Sequence, residues 1–248
     1  LKPPLRPNTE VVGALRAATA EHNGRVLLLG VTPELAAIGE TTVAIDMSAE
    51  MIAAAWPGDT PARRAVCGNW LKMPLRVREF TAVIGDGSLA FMPMDAYTPL
   101  FEQLAGLLLP GARFAMRCYE TPERCETIAE LCDQVMAGHG AGFHAFKWRL
   151  AMAIVAETRE PSIGVDLIHR VFERELADRA ALSAASGWTL EDIAEIDQYA
   201  GQDNVFSFPT RREILAALSR HMVNARFVVS GTYELAERCP ILVAEFPA

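Results

Sequence analysis

Residues 25–55 read RVLLLGVTPELAAIGETTVAIDMSAEMIAAA, and this stretch decides the fold. Arg25 to Gly30 is a short apolar run closed by glycine, with no polar alternation. Such a run suits a central parallel strand covered on both faces. Thr32, Pro33 and Glu34 then supply an N-cap residue, a proline for the first helical position and an acid for the first turn, predicting a short helix that stops near Gly39. Thr42 to Ile45 makes a second apolar strand, ending in Asp46. Ser48 caps a further helix over Ala49 to Ala55, which Trp56-Pro57-Gly58 ends. Strands and helices alternating at this spacing predict a parallel sheet with right-handed crossovers.

The alternation extends in both directions. Upstream, Thr9 to His22 carries Val11, Val12, Leu15 and Ala18 on one helical side, and Asn23-Gly24 ends it. Downstream, Ala65 to Cys67 is a weak third strand and Phe80 to Ile84 a fourth. A helix over Tyr97 to Leu109, broken by Pro110-Gly111, leads into a fifth strand from Arg113 to Cys118. After Glu120 the pattern turns helical. One helix opens at Thr121-Pro122-Glu123 and runs towards Met136, glycines 138, 140 and 142 interrupt, and Phe143 to Glu157 resumes the periodicity. Another spans Gly164 to Ala185, and Thr189 with Asp192 opens the next. Thr210 with Glu213 caps a helix ending near His221, before two β-rich runs, Arg226 to Tyr233 and Ile241 to Phe246. Residues of about 121–204 thus form a helical insertion, a cap or an oligomer surface rather than a domain of its own.

Composition bounds the partners. The chain has 248 residues, 51% hydrophobic and 22% charged, enough to bury a core without disulfides or metal. A net charge of −8 with no basic run argues against nucleic acid as the partner. No run of apolar residues reaches membrane-spanning length, and Leu1-Lys2-Pro3-Pro4 does not open a signal peptide. Five cysteines without a CxxC pair fit reduced thiols in a cytoplasmic protein.

Chemistry is expected at the carboxyl ends of the strands, where open α/β sheets bind ligands. Gly30 ends the first strand, so backbone can approach a ligand where a Cβ would intrude. The N–H groups behind Thr32 could meet a carboxylate or phosphate. Asp46 can accept hydrogen bonds from both hydroxyls of a ribose, Asn69 can read an adenine edge through its amide, and Trp70 can flank the ring. Asp86 ends the fourth strand between Gly85 and Gly87, which leave room for a ligand. In the insertion, GHGAGFHAFKWR (138–149) gathers His139, His144, Lys147 and Arg149 among aromatics. His144 and Lys147 share a face at i and i+3 and are candidates for an acceptor-facing lid hinged at the glycines. No acid or cysteine stands at ligand spacing from the histidines, so no metal is expected.

These segments resemble the class I methyltransferases. VLLLGVTPEL (Val26 to Leu35) resembles the first motif of that family and VAIDMSAEMI (Val43 to Ile52) its acidic second-strand motif. CGNWLKMPL (Cys67 to Leu75) resembles its adenine-contacting segment, and FTAVIGDGSL (Phe80 to Leu89) its fourth-strand motif. LLLPGARFAMRCYE (Leu107 to Glu120) resembles the helix and strand that follow, and RFVVSGTYE with PILVAEF the closing hairpin. The resemblance implies a single domain over 1–248: a Rossmann-like seven-stranded, mostly parallel sheet with an antiparallel last strand. It also implies S-adenosyl-L-methionine as cofactor, held by Gly30, Thr32, Asp46, Met47, Asn69, Trp70, Asp86 and Gly87. The sequence departs from the family at Leu28, Thr32 and Glu34, where an acid and two glycines are usual, and at Asn69, where Asp is usual. Methyl transfer to a small-molecule acceptor is the function implied, with a homodimer left open. The alternatives are a binding protein of the same fold without turnover, and another nucleotide-using enzyme such as a dehydrogenase. The last lacks a G-x-G-x-x-G after the first strand.

Overall fold

The computed structural model describes residues 3–247. Its centre is a seven-stranded sheet built from β1 (Arg25–Leu29), β2 (Thr41–Asp46), β3 (Arg63–Cys67), β4 (Phe80–Asp86), β5 (Leu108–Arg117), β8 (Val223–Val228) and β9 (Ile241–Glu245). Two short strands, β6 (Ser162–Gly164) and β7 (Val205–Ser207), pair separately. The sheet order is β3-β2-β1-β4-β5-β9-β8. The first five strands run parallel, and β9 is antiparallel to both of its neighbours. The order reverses between β1 and β4, which opens a crevice at their carboxyl ends.

Strand periodicity divides the sheet's core into two layers. Leu27 and Leu29 pack with Phe101 and Leu104 of α3 (Tyr97–Leu107) and with Ile214 of α9 (Arg211–Leu218). Val26 and Leu28 face the other way, onto Val11 and Leu15 of α1 (Thr9–Ala18) and Ile52 of α2 (Ala49–Ala55). Alternate residues serving opposite layers is what makes the central strands read as unbroken apolar runs.

Several boundaries differ from the sequence expectation, each for a physical reason. Thr32 makes no side-chain cap, and Pro33–Leu35 is a single 3-10 turn rather than a helix. Residues 30–40 are all that join β1 to β2, short for a helical crossover. The first-turn amides expected behind Thr32 are therefore not presented as a helix terminus. Gly39 sits where this connection crosses the sheet: a Cβ there would lie 2.5 Å from Val26 Cγ2 and 2.8 Å from the Thr41 carbonyl oxygen. Gly39→Ala is expected to destabilise the fold by about 1–3 kcal/mol, visible as a lower urea midpoint at unchanged slope.

Pro110-Gly111 does not separate helix from strand. β5 already begins at Leu108, and the pair falls within a register shift, with Gly111 at φ +74°. The Thr121-Pro122-Glu123 signal loses to tertiary bonding: Thr121 Oγ1 donates to the Phe208 carbonyl at 2.7 Å. The helix starts later, as α4 (Ile128–Met136), behind a capping box of Thr127 and Glu130. The expected long helix over 164–185 is α6 (Val165–Glu175) and α7 (Arg179–Ser186), the second capped by Asp178.

With α5 (Phe143–Thr158) and α8 (Leu190–Ala194), these helices form a layer around an aromatic cluster that includes Phe143, Phe146, Phe172 and Trp188. The layer is fastened to the segment after β4. Ser207 Oγ donates to the Met92 carbonyl at 2.6 Å, Ser162 Oγ accepts from Met94 N at 2.9 Å, and Phe91 packs edge-on against Phe206. A second fastening is Glu126, which accepts from Arg238 and Arg149, each at 2.6 Å.

Burial opposes ionisation of the Glu126 carboxyl, but the Arg238 bond, backbone and Arg149 outweigh it and hold the group near 2 against an ordinary 4.5. A depressed folded value gives stability that is complete above the unfolded value and lost as pH falls from about 4.5 through about 2. Discounted for screening, the contribution is about 1–2 kcal/mol. Glu126→Gln is expected to be less stable by that amount at neutral pH and to lose less stability between pH 4.5 and 2 than the wild type, measured by urea melts across that range.

Candidate functional site

The crevice at the β1–β4 reversal is a cleft of about 440 Å³, within the range of small-molecule sites. Its floor is Gly30 and Asp86, its outer wall Asp46 and Trp70, and its rim Phe91. Residues 5–7, preceding α1, close the remaining side.

Each wall is positioned by the strand beneath it. Gly30 has φ +98°, and a Cβ added there would meet no atom within 4 Å, so its backbone is bare towards open space. Asp46 Oδ1 accepts from Ser48 N at 2.9 Å, which fixes the carboxylate just ahead of α2 and leaves Oδ2 for a ligand. Trp70 is anchored by Nε1 donating to the Ile45 carbonyl at 2.8 Å, presenting its ring to the cleft. Ser88 ties β4 to β1 through its Oγ, which donates to the Leu29 carbonyl at 2.7 Å.

Of the residues singled out in the sequence, Gly30, Thr32, Asp46, Trp70 and Asp86 line the cleft. Met47, Asn69 and Gly87 lie beside it. Met47 is 73% exposed. Asn69 is exposed, with Oδ1 accepting from Leu71 N at 2.8 Å, which leaves its amide N–H groups as the free donors. Gly87, at φ +69°, packs under the Tyr119 ring, 2.5 Å from where its Cβ would be. His144 and Lys147 are brought together, but within the helical layer. Both approach Glu195 Oε2 at 3.4 Å, and Lys147 is buried between the Phe143 and Tyr199 rings. Burial lowers both the His144 imidazole and the Lys147 ammonium below their ordinary values, against the pull of Glu195. Neither residue is part of the cleft lining.

Asp86 has a partner that strand-end reasoning did not supply. Arg117, opposite it in register on β5, is fully buried and forks onto its carboxylate, Nε to Oδ1 at 2.5 Å and Nη2 to Oδ2 at 3.0 Å. Burial disfavours the charged guanidinium, yet Tyr119, Asp86 and Tyr233 hold its affinity for the proton above the ordinary value. Arg117 also donates to Tyr233 Oη at 3.1 Å, to Tyr119 Oη at 3.2 Å and to the Pro4 carbonyl at 2.8 Å. The sequence signal was available: an arginine ending an otherwise apolar strand, RFAM before it and CY after it, needs a buried partner. Glu34, another departure from the family pattern, pairs with Arg6 at 2.5 Å.

Among the described residues, the group with the proximity of a metal site is His169, Glu173 and Asp197. Its cation is already present, because Arg179 Nη2 lies 2.5 Å from both Glu173 Oε1 and Asp197 Oδ1. No described helix is long and apolar enough to cross a membrane.

No protein-family model matches the chain, and no curated protein matches it by sequence. Solved structures do match it along nearly its full length. One is the 1,6-didemethyltoxoflavin N1-methyltransferase of Burkholderia thailandensis, with 1,6-didemethyltoxoflavin and S-adenosylhomocysteine bound. It is 14% identical, with a TM-score of 0.51 over 97% of this chain and 79% of that one. The N-methyltransferase NodS of Bradyrhizobium japonicum, in complex with S-adenosylhomocysteine, is 10% identical at a TM-score of 0.51, over 96% of this chain and 86% of that one. A Rhodobacter sphaeroides chain, placed by name but without established activity among Zn-dependent alcohol dehydrogenases, is 9% identical at a TM-score of 0.59, over 98% and 92%. At these identities the likeness establishes the architecture, and the strand order agrees with it. The chain therefore has the Rossmann-like, seven-stranded fold of the class I S-adenosylmethionine-dependent methyltransferases.

Proposed function

We propose that this cleft binds S-adenosyl-L-methionine and that the protein transfers its methyl group to a small-molecule acceptor. The observation that carries the reading is the pairing, across one cleft, of a bare Gly30 backbone with a fixed Asp46 carboxylate and a Trp70 wall. The residues fit the cofactor. Asp46 Oδ2 would accept from ribose hydroxyls, Trp70 and Met47 would flank the adenine, and the free Asn69 amide would donate to a ring nitrogen. Gly30 and the turn at Thr32 would let backbone meet the methionine moiety, while Asp86, with Gly87 beside it, would stand near its reactive end. The acids in the lining, Asp46 and Asp86, suit a cofactor carrying a sulfonium and an ammonium. When bound, the cofactor supplies an electrophilic methyl group. The protein's part is to orient that group and exclude water.

Calorimetry tests the binding step. S-adenosylhomocysteine is expected to bind in the micromolar range, about −8 kcal/mol, and absence of binding overturns the reading. A second reading, binding without turnover, is favoured by one feature: the acid of the cleft nearest the expected methyl group, Asp86, is committed to Arg117. Release of S-adenosylhomocysteine from S-adenosylmethionine during an acceptor screen separates the two, because only transfer produces it.

A further inference from the structure

Residues 3–7 form a strap, of which Leu5, Arg6 and Pro7 line one side of the cleft. Among the described residues its polar attachments are two. Arg6 pairs with Glu34 at the surface, and the Pro4 carbonyl oxygen accepts from Arg117 Nη2 and Tyr119 Oη, each at 2.8 Å. The surface pair contributes little. Among the described residues the strap's buried polar anchor is thus one neutral oxygen on two buried donors, beside the apolar packing of Pro4, Leu5 and Pro7.

Those donors belong to the fold, not to the strap. Arg117 is fixed by Asp86 and Tyr233, and Tyr119 by Gly87 below it and Trp148 beside it at 5.3 Å. Both side chains are nearly sealed from water. Burial raises the Tyr119 phenol well above its ordinary value, so it stays a proton donor at neutral pH. They stand at and just beyond the carboxyl end of β5, behind Asp86 of the cleft lining and under the Pro4 carbonyl that covers them.

We propose that Arg117 and Tyr119 form the acceptor's recognition subsite, that it takes a neutral carbonyl oxygen (an amide, lactam or ring ketone), and that the Pro4 carbonyl occupies it until an acceptor displaces the strap. This rests on the functional reading above. The charge balance selects a neutral oxygen. Arg117 is already neutralised by Asp86, and Glu34 adds negative charge nearby. A carboxylate entering this dry site would be uncompensated, whereas a carbonyl repeats what Pro4 offers. Removing the Tyr119 hydroxyl leaves the Arg117 donor in place, so the subsite weakens rather than collapses.

The test uses the full chain saturated with S-adenosylhomocysteine and two isosteric probes, benzamide and benzoate. The amide resonances of Leu5 and Arg6 report the strap. Benzamide is expected to bind and to shift both resonances along its binding curve, with benzoate at least about tenfold weaker. Tyr119→Phe keeps the ring on Gly87 and Trp148, and is expected to weaken benzamide about tenfold while S-adenosylhomocysteine affinity stays the same. Tyr233→Phe removes a hydroxyl from Arg117 without touching the Pro4 oxygen, and benzamide affinity is expected to stay within about twofold. Benzoate binding as tightly as benzamide, an unmoved strap, or equal losses in the two variants would overturn the inference while leaving cofactor binding intact. Failure of S-adenosylhomocysteine to bind would remove both readings.

Discussion

Arg117→Met is expected to cost the fold about 3–5 kcal/mol, the largest effect of any single substitution proposed. Its guanidinium is fully buried and satisfies four oxygen-bearing groups, the Asp86 carboxylate, Tyr119, Tyr233 and the Pro4 carbonyl. A methionine fills much of the volume, but it strands the Asp86 carboxylate without a countercharge, and that desolvated charge sets the cost. Burial already raises the Asp86 carboxyl above its ordinary value, with Arg117 opposing the rise. In the variant that opposition is gone, so burial would drive the carboxyl further upward. Urea melts measure the loss as a lower midpoint at constant slope. The double variant Arg117→Met/Asp86→Leu is expected to recover most of it, because replacing both members of a buried pair is far less costly than removing one. Equal instability in the single and double variants would mean that packing, not charge, is what Arg117 supplies.

Asp46→Ala is expected to weaken S-adenosylhomocysteine by about 2–4 kcal/mol, roughly 30- to 1,000-fold. The carboxylate stands at the end of β2 with one oxygen fixed by Ser48 N and the other turned to the cleft. A ribose would place two hydroxyls on it, and both charge-assisted bonds vanish with the side chain. The effect on folding should be small, because the group is only half-buried and Ser48 still caps α2 through Oγ to Met51 N at 3.1 Å. Calorimetry on the variant with unchanged affinity would rule out the ribose role. The contrast between the two substitutions separates two parts of the site: Arg117 is expected to govern stability and Asp46 ligand affinity.

The sheet and the strand-end residues of the cleft were legible in the sequence, because those depend on local pattern. Apolar runs ending in Gly30, Asp46 and Asp86 place three residues at strand ends whatever the rest of the chain does. The capping boxes of Thr127, Thr189 and Thr210 show how short-range chemistry sets helix starts. Thr189 and Thr210 were legible in advance, while Thr127 lay hidden behind the decoy of Thr121-Pro122-Glu123. Where a local signal met a longer-range demand, the longer range prevailed: Thr121 bonds to Phe208, and the turn at Pro33 stops early because β2 must begin.

The buried network around Arg117 was set by the packing of the whole chain. Arg117 meets Asp86 because β5 lies beside β4, and it meets Tyr233 and Pro4 from chain positions 116 and 113 residues away. No periodicity encodes contacts at that separation. Lys147 shows the same limit from the other side. Its spacing from His144 was legible, but the helix face they share turns towards Glu195 of the same layer because the aromatic cluster beneath α5 sets that helix's rotation. A helix's periodicity says which residues share a face. Only the packing of the whole chain says what that face meets.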